Sequence, residues 1–181
     1  MLITLIIIYT VIEIYIISKA VKNKIKNLTM GSVAIYLCFC IFLLINHFYS
    51  LVPNYVVILV FMAILGHIFI GKSLNLYNAS LIFDRYLHAF GAFSFSLFFY
   101  FIILSFLDVT LTSNMLSAIF VFTLGLSLGV ILEMLEFLGD TLSKKNKQKS
   151  QRGLRDTNFD LLFNIGGSFL SALLIYFIRS K

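Results

Sequence analysis

Acidic and imidazole side chains cluster in the second half of this sequence, and their types suit metal-ion or acid–base chemistry. The chain of 181 residues has eight acidic residues, and five of them lie at the two ends of one basic loop. These five are Glu133, Glu136, Asp140, Asp156 and Asp160. A sixth, Asp84, precedes His88 on the chain. Because an ionised carboxylate is costly to bury without a cation, a proton or a metal, this clustering indicates that the groups act together.

Imidazole and carboxylate side chains from several helices are ligands that Mg, Mn, Zn and Fe take in helical bundles. We therefore expect a divalent metal here. The expected ligands are His88, Glu133, Asp156 and Asp160. Two alternatives stay open on the sequence alone. The same groups could form a polar pocket that works without a metal, or a structural network in which Arg85, Arg152 and Arg155 neutralise the carboxylates.

Helical spacing places the polar residues of each segment on one face. Asp84 and His88 are four residues apart, so they share one side of a helix. Intervals of three or four recur in two later segments. Those segments carry Glu133, Glu136 and Asp140, and then Asp156, Asp160 and Asn164. With a rise of about 1.5 Å per residue, Glu133 lies roughly 10 Å deeper along its helix than Asp140.

Composition predicts the elements that position these residues. Hydrophobic residues make up 60% of the chain, charged residues only 12%, and the mean hydropathy is +1.00. Soluble domains carry about 25% charge, so the chain is an integral membrane protein. Apolar runs of the length needed to cross a bilayer predict an all-α bundle of about six transmembrane helices in a single domain, 1–181. The predicted spans are about 2–18, 31–49, 55–71, 85–107, 115–138 and 159–178.

The distribution of basic residues predicts sidedness. The net charge of +6 does not indicate nucleic-acid binding, because the lysines and arginines lie in short segments between apolar runs. Most of them fall in the first, third and fifth connections. The positive-inside rule then predicts that both termini are outside and that these three connections face the cytoplasm. In either orientation, the start of span four, the end of span five and the start of span six lie on one membrane face.

Three segments carry a resemblance to known families. They are FDRYLH at 83–88, EMLE at 133–136 and RDTNFDLLFNIGG at 155–167. Together they resemble the YjdF-type family of uncharacterised bacterial inner-membrane proteins and, more distantly, the VanZ-like family, which is linked to tolerance of glycopeptide antibiotics. The resemblance runs from Asn75 onward and implies a protein of the bacterial cytoplasmic (inner) membrane. It singles out Asp84, His88, Glu133, Glu136, Asp156, Asp160 and Asn164 but implies no settled reaction. The loop between Asp140 and Arg152 departs from the YjdF-type pattern, which has a Gly- and Trp-containing stretch there.

These observations lead us to predict a small, metal-dependent membrane enzyme that hydrolyses or transfers groups on a lipid or lipid-linked substrate. In this hypothesis Glu136 is the general base, and Arg85 or Arg155 binds an anionic head group. A proton- or cation-coupled transporter and a non-catalytic envelope-stress or antibiotic-tolerance factor are the alternatives. The chain lacks GxSxG, GxxxxGK[ST], HExxH and CxxC motifs, so serine hydrolase, NTPase, zincin and thioredoxin chemistries have no local signature.

Overall fold

A computed structural model describes residues 2–142 and 150–179, and within these ranges the chain is helical with no strand. The helices are α1 (Leu2–Lys22), α2 (Lys26–Tyr49), α3 (Asn54–Leu65), α4 (Leu76–Ala79), α5 (Leu81–Leu107), α6 (Asn114–Leu142) and α7 (Leu154–Arg179). Helix α3 continues as a π-helical segment, Gly66–Ser73. The predicted all-α class is confirmed. The lysines of the basic loop, Lys144, Lys145, Lys147 and Lys149, lie outside the described residues.

Six of these helical stretches are long and apolar enough to cross a membrane. They are Leu2–Lys22, Leu28–Tyr49, Asn54–Ser73, Ile82–Leu107, Asn114–Leu142 and Leu154–Ile178. The predicted number of spans is therefore confirmed, and most helices extend a few residues beyond the apolar runs. The reason is that polar residues continue the backbone hydrogen bonding at helix ends, as Lys19 and Lys22 do in the last turn of α1. The cytoplasmic membrane and the outward termini stay predictions.

The chain forms two compact units, Met1–Leu81 and Ile82–Lys181. In the first unit, the fully buried ring of Tyr9 makes edge-on contacts with Tyr36, Phe39 and Phe61, at centroid distances of 5.1, 5.8 and 5.4 Å. These aromatic contacts join α1, α2 and α3. The single transmembrane domain that the sequence suggested stays a prediction.

Two ionisable side chains of the first unit have contrasting surroundings. Glu13 is only 4% exposed, and neither of its carboxylate oxygens has a hydrogen-bond partner in the described part of the chain. His67, in the π-helical segment, has its Nδ1 atom 2.6 Å from the hydroxyl oxygen of Tyr77 on α4. The hydrogen bond ties the end of the third span to the short helix that follows it.

In the second unit, α7 packs against α6 through small residues. A side chain at Gly129 would collide with Asn164, and one at Gly125 would collide with Ser168. Along this contact the residue numbers decrease on α6 while they increase on α7, so the two helices are antiparallel. The absence of side chains at these glycines lets the backbones approach closely.

Helix α7 also packs against α5, in the parallel sense. The guanidinium of Arg85 lies over the ring of Phe159, and further along the Oγ atom of Ser96 donates a hydrogen bond to that of Ser171 at 2.8 Å. Here the residue numbers increase in the same direction on α5 and α7. The start of α5, the end of α6 and the start of α7 consequently meet at one end of the second unit, as counting membrane crossings predicts.

Candidate functional site

His88 lies at the centre of the polar cluster, and its two ring nitrogens face different carboxylates. The Nε2 atom is 3.6 Å from Oδ1 of Asp84, which is one turn earlier on α5. The Nδ1 atom is 3.8 Å from Oε1 of Glu133 on α6 and 3.5 Å from Nδ2 of Asn164 on α7. His88, Glu133 and Asn164 are buried. Side chains from α5, α6 and α7 thus surround this one imidazole.

Three side chains come close enough to share a metal ion. Asp84, His88 and Asp160 each offer one ligand atom, and these atoms all lie within 4.8 Å of one another. Metal–ligand bonds of about 2.0–2.2 Å to oxygen and nitrogen put neighbouring ligand atoms roughly 3 Å apart, so small side-chain movements would complete the group. One imidazole and two carboxylates form a donor set that suits Zn, Fe or Mn.

Two buried carboxylate oxygens of the cluster lack a hydrogen-bond donor among the described residues. They are Oδ1 of Asp160 and Oε1 of Glu133, on side chains that are 4% and 5% exposed as whole residues. The charges that act on Asp160 come from the carboxylates of Asp84, Asp156 and Glu133 and from the guanidinium of Arg85. Negative charge is therefore in excess around a buried acid. A bound cation is one arrangement that would relieve both the charge and the missing hydrogen bonds.

The structure distributes the predicted ligands over two positions. His88 and Asp160 belong to the group of three residues whose ligand atoms lie within 4.8 Å of one another. Glu133 lies instead near Nδ1 of His88. Asp156 is half-buried in the first turn of α7, and its Oδ2 atom accepts a weak hydrogen bond from the backbone N–H of Arg152 at 3.4 Å. Asp84, which sequence reasoning grouped with His88 without making it a ligand, takes the third place in the group. Ligation by Glu133 and Asp156 stays a prediction.

Glu136, the predicted general base, lies one turn beyond Glu133 on α6 and is half-buried. The charged groups that act on it are carboxylates, namely Glu133, Asp84, Asp160 and Asp140. Glu136 therefore belongs to the same electrostatic cluster as the candidate ligands.

Gln151 is a contact residue that sequence reasoning missed. Its Nε2 atom donates to the backbone oxygen and to Oε2 of Glu133, both at 2.9 Å. The backbone N–H groups of Ser150 and Gln151 also donate to the two carboxylate oxygens of Asp140, at 2.9 and 2.8 Å. The segment before α7 is thus fixed to the end of α6. No local pattern marks Gln151, because its role depends on where the loop returns.

Replacing Gln151 with leucine should disturb the site through Glu133. The leucine keeps most of the volume but leaves Oε2 of Glu133 without its side-chain donor, and Glu133 in turn contacts His88. We expect metal affinity to fall about tenfold. This is the lower end of the loss seen when a residue that hydrogen-bonds to a metal ligand is removed. Titration of the purified protein with Mn²⁺ would measure this. Asn158→Leu, the same kind of change at an exposed position of α7, should leave the affinity unaltered, and equal losses in both variants would contradict the assignment.

The arginines near the cluster contact an aromatic ring. The guanidinium carbon of Arg85 lies 4.2 Å from the centre of the Phe159 ring, and that of Arg155 lies 5.8 Å from it. No ion pair joins Arg85 or Arg155 to a carboxylate within residues 2–142 and 150–179. The alternative of a structural network, in which Arg85, Arg152 and Arg155 neutralise the carboxylates, stays a prediction, since Arg152 acts on Asp84.

The fold and the cluster define a class: a multi-pass α-helical membrane protein with a buried carboxylate–histidine cluster near one end of its last three spans. Residues 1–181 match the family model described as "Predicted membrane protein (DUF2238)", and the chain belongs to that family. The match confirms the YjdF-type resemblance and extends it to the first two spans, which carry no readable motif. The VanZ-like resemblance stays a prediction.

One curated relative is an uncharacterised protein of Thermotoga maritima. It is 32% identical over 113 residues, which are 61% of this chain and 56% of the relative. The chain thus spans little more than half of that protein's length. No solved structure matches the chain.

Proposed function

We propose that this protein is a metal-dependent membrane enzyme that hydrolyses or transfers a group on a lipid or lipid-linked substrate. The observation that carries the proposal is the group of Asp84, His88 and Asp160, whose ligand atoms lie within 4.8 Å of one another. A second observation that favours a bound cation is that Oδ1 of Asp160 has no hydrogen-bond donor among the described residues.

The residues around this group have the roles that a working metal site requires. A ligand histidine usually has its second ring nitrogen held by a carboxylate or an amide, which fixes the orientation of the ring. Glu133 and Asn164 lie beside Nδ1 of His88, which leaves Nε2 toward Asp84. When bound, the metal would supply Lewis-acid polarisation of the substrate.

Glu136 is the candidate general base. It is half-buried, it belongs to the same carboxylate cluster, and it is outside the group that would hold the metal. A carboxylate in this position can take a proton from an attacking water or hydroxyl group. Glu136 is thereby distinguished from Asp84 and Asp160, whose oxygens are assigned to the metal.

The depth of the cluster favours a lipid substrate. Asp84 is two residues from the start of the candidate span Ile82–Leu107, and Asp160 is six residues from the start of Leu154–Ile178. At about 1.5 Å per residue these positions are within roughly 9 Å of the helix ends, whereas the bilayer midplane is about 15 Å from either surface. Lipid head groups and the first bonds of the acyl chains occupy this level. Transporter sites typically lie near the midplane, so a transporter is less well supported.

Metal analysis of purified protein would test the proposal. Elemental mass spectrometry should find about one divalent ion per chain. A chelator should remove that ion, and addition of Mn²⁺ or Zn²⁺ should restore it. The reloaded protein, but not the stripped protein, should change the composition of a bacterial lipid extract. If the protein takes up no metal, and added metal alters neither lipid turnover nor stability, the proposal is wrong.

A further inference from the structure

Two arginine side chains surround one aromatic ring directly beside the candidate metal group. Arg85 follows Asp84 on α5, and Phe159 precedes Asp160 on α7. The guanidinium groups of Arg85 and Arg155 lie 4.2 and 5.8 Å from the centre of the Phe159 ring. The packing of α5 on α7 therefore brings two positive charges to the position next to the carboxylates that would bind the metal.

Arg85 has one donor group that the described residues leave without an acceptor. Its side chain is half-buried, and the Nε–H group has no acceptor in the described part of the chain. Stacking on Phe159 holds the face of the guanidinium and leaves its N–H edge available. A buried donor without an acceptor is destabilising, so such a donor in a site favours an acceptor supplied by a bound molecule.

The neighbouring charges indicate what that acceptor is. Arg85 acts electrostatically on Asp84 and on Asp160 without forming an ion pair with either. An acceptor that bridges this guanidinium and a divalent metal would be anionic and would use separate oxygens for the two partners. A phosphoryl group has enough oxygens to bind the metal and a guanidinium fork together, whereas a carboxylate has only two.

We propose that Arg85, held by Phe159 and assisted by Arg155, binds a phosphoryl group of the substrate that the metal also contacts. This inference rests on the proposed function and specifies its substrate class as a phosphate ester. Exposed apolar side chains flank the site on the same helices, including Ile82, Tyr86 and Leu162, which are 61%, 64% and 59% exposed. A phosphate carried on a lipid could therefore reach Arg85 from the bilayer, and free phosphate offers the same chemistry.

Calorimetric titration of Mn²⁺-loaded protein in detergent would test the inference. The probes are inorganic phosphate and dihexanoyl phosphatidic acid, with dihexanoyl glycerol as the ligand without phosphate. We expect a phosphate-bearing probe to bind and the glycerol lipid to bind at least tenfold more weakly. Tighter binding of phosphatidic acid than of inorganic phosphate would identify the lipid as the source, and equal binding would identify the phosphate group alone. Either result supports the inference.

Variants of Arg85 separate binding from folding and from metal uptake. Arg85→Gln should weaken the binding of the phosphate-bearing probe at least tenfold while the Mn²⁺ content stays unchanged, because its donors cannot form the charged fork. Arg85→Lys keeps the charge without the fork and should give a smaller loss. Lys22→Gln removes one positive charge at an exposed position of α1 in the first unit, and it should bind as the wild type does.

Two results would overturn the inference, and they are distinguishable. If the wild type takes up Mn²⁺ but binds no phosphate-bearing probe, or if Arg85→Gln and Arg85→Lys, both with wild-type Mn²⁺ content, bind it as well as the wild type, the phosphoryl assignment is wrong and the metal site stands. If the wild type takes up no metal, the proposed function is wrong and the inference falls with it.

Discussion

Replacing Asp160 with asparagine should lower the affinity of the protein for Mn²⁺ by about 100-fold or more. The loss of a charged ligand costs at least as much affinity as the loss of a residue that only hydrogen-bonds to a ligand. The amide keeps the shape of the side chain but removes the negative charge and places a donor where a metal requires an acceptor. Asp160 is 4% exposed, and its Oδ1 atom has no hydrogen-bond partner among the described residues, so water cannot readily replace this ligand. Titration with Mn²⁺ in detergent would measure the change.

The matched control for this variant is Asp108→Asn. Asp108 is exposed beyond the other end of α5 and has a φ of 52°, a conformation that asparagine adopts as readily as aspartate. It should leave the Mn²⁺ affinity unchanged. Removal of a buried, unpaired carboxylate without a metal would relieve repulsion and stabilise the fold. An Asp160→Asn protein that is more stable than the wild type, with the same metal content, would therefore refute the metal assignment.

Replacing Gly167 with alanine should be the most damaging small substitution in the second unit. A Cβ atom at this position would overlap the backbone carbonyl group of Ala89 on α5. Backbone atoms cannot move aside as a flexible side chain can, so α5 and α7 would have to separate. We expect a loss of about 2–3 kcal/mol in the free energy of unfolding, at the upper end of what overpacking costs. Thermal unfolding in detergent would measure it.

The adjacent glycine supplies the control. A Cβ atom at Gly166 would meet no other atom within 4 Å. Alanine also has the higher helix propensity, by about 1 kcal/mol in water. Gly166→Ala should therefore leave the stability unchanged or raise it slightly, in contrast to Gly167→Ala. If the two variants unfolded alike, the packing of α5 on α7 as described would be wrong.

The number of spans and the membrane face of the ionisable residues follow from counting apolar runs along the sequence. Apolar runs in the sequence predict the six spans, and the alternation of crossings puts Asp84, Glu133 and Asp160 at one end of the molecule without any knowledge of packing. Intervals of three and four residues then put each polar set on one face of its helix. These results depend on span length and helical periodicity, which are local properties of the chain.

The composition of the site could not be predicted in the same way. Which nitrogen of His88 meets which carboxylate depends on the rotation of each helix about its own axis. That rotation is set by the contacts of Gly129 with Asn164 and of Gly167 with Ala89, between residues far apart in sequence. Asp84 is consequently in the candidate metal group, and Glu133 faces Nδ1 of His88, while its predicted role as a ligand stays a prediction.

The sequence by itself determined the class of protein, its spans and the membrane face at which the ionisable side chains lie. The reason is that the length of an apolar run and the helical spacing of polar residues can be read from consecutive residues. Only the tertiary structure decided which carboxylates lie beside His88, that Gln151 donates to Glu133, and that the guanidinium of Arg85 lies over the ring of Phe159. Those contacts arise from close packing between helices, and close packing depends on the shapes of side chains that meet only after the chain has folded.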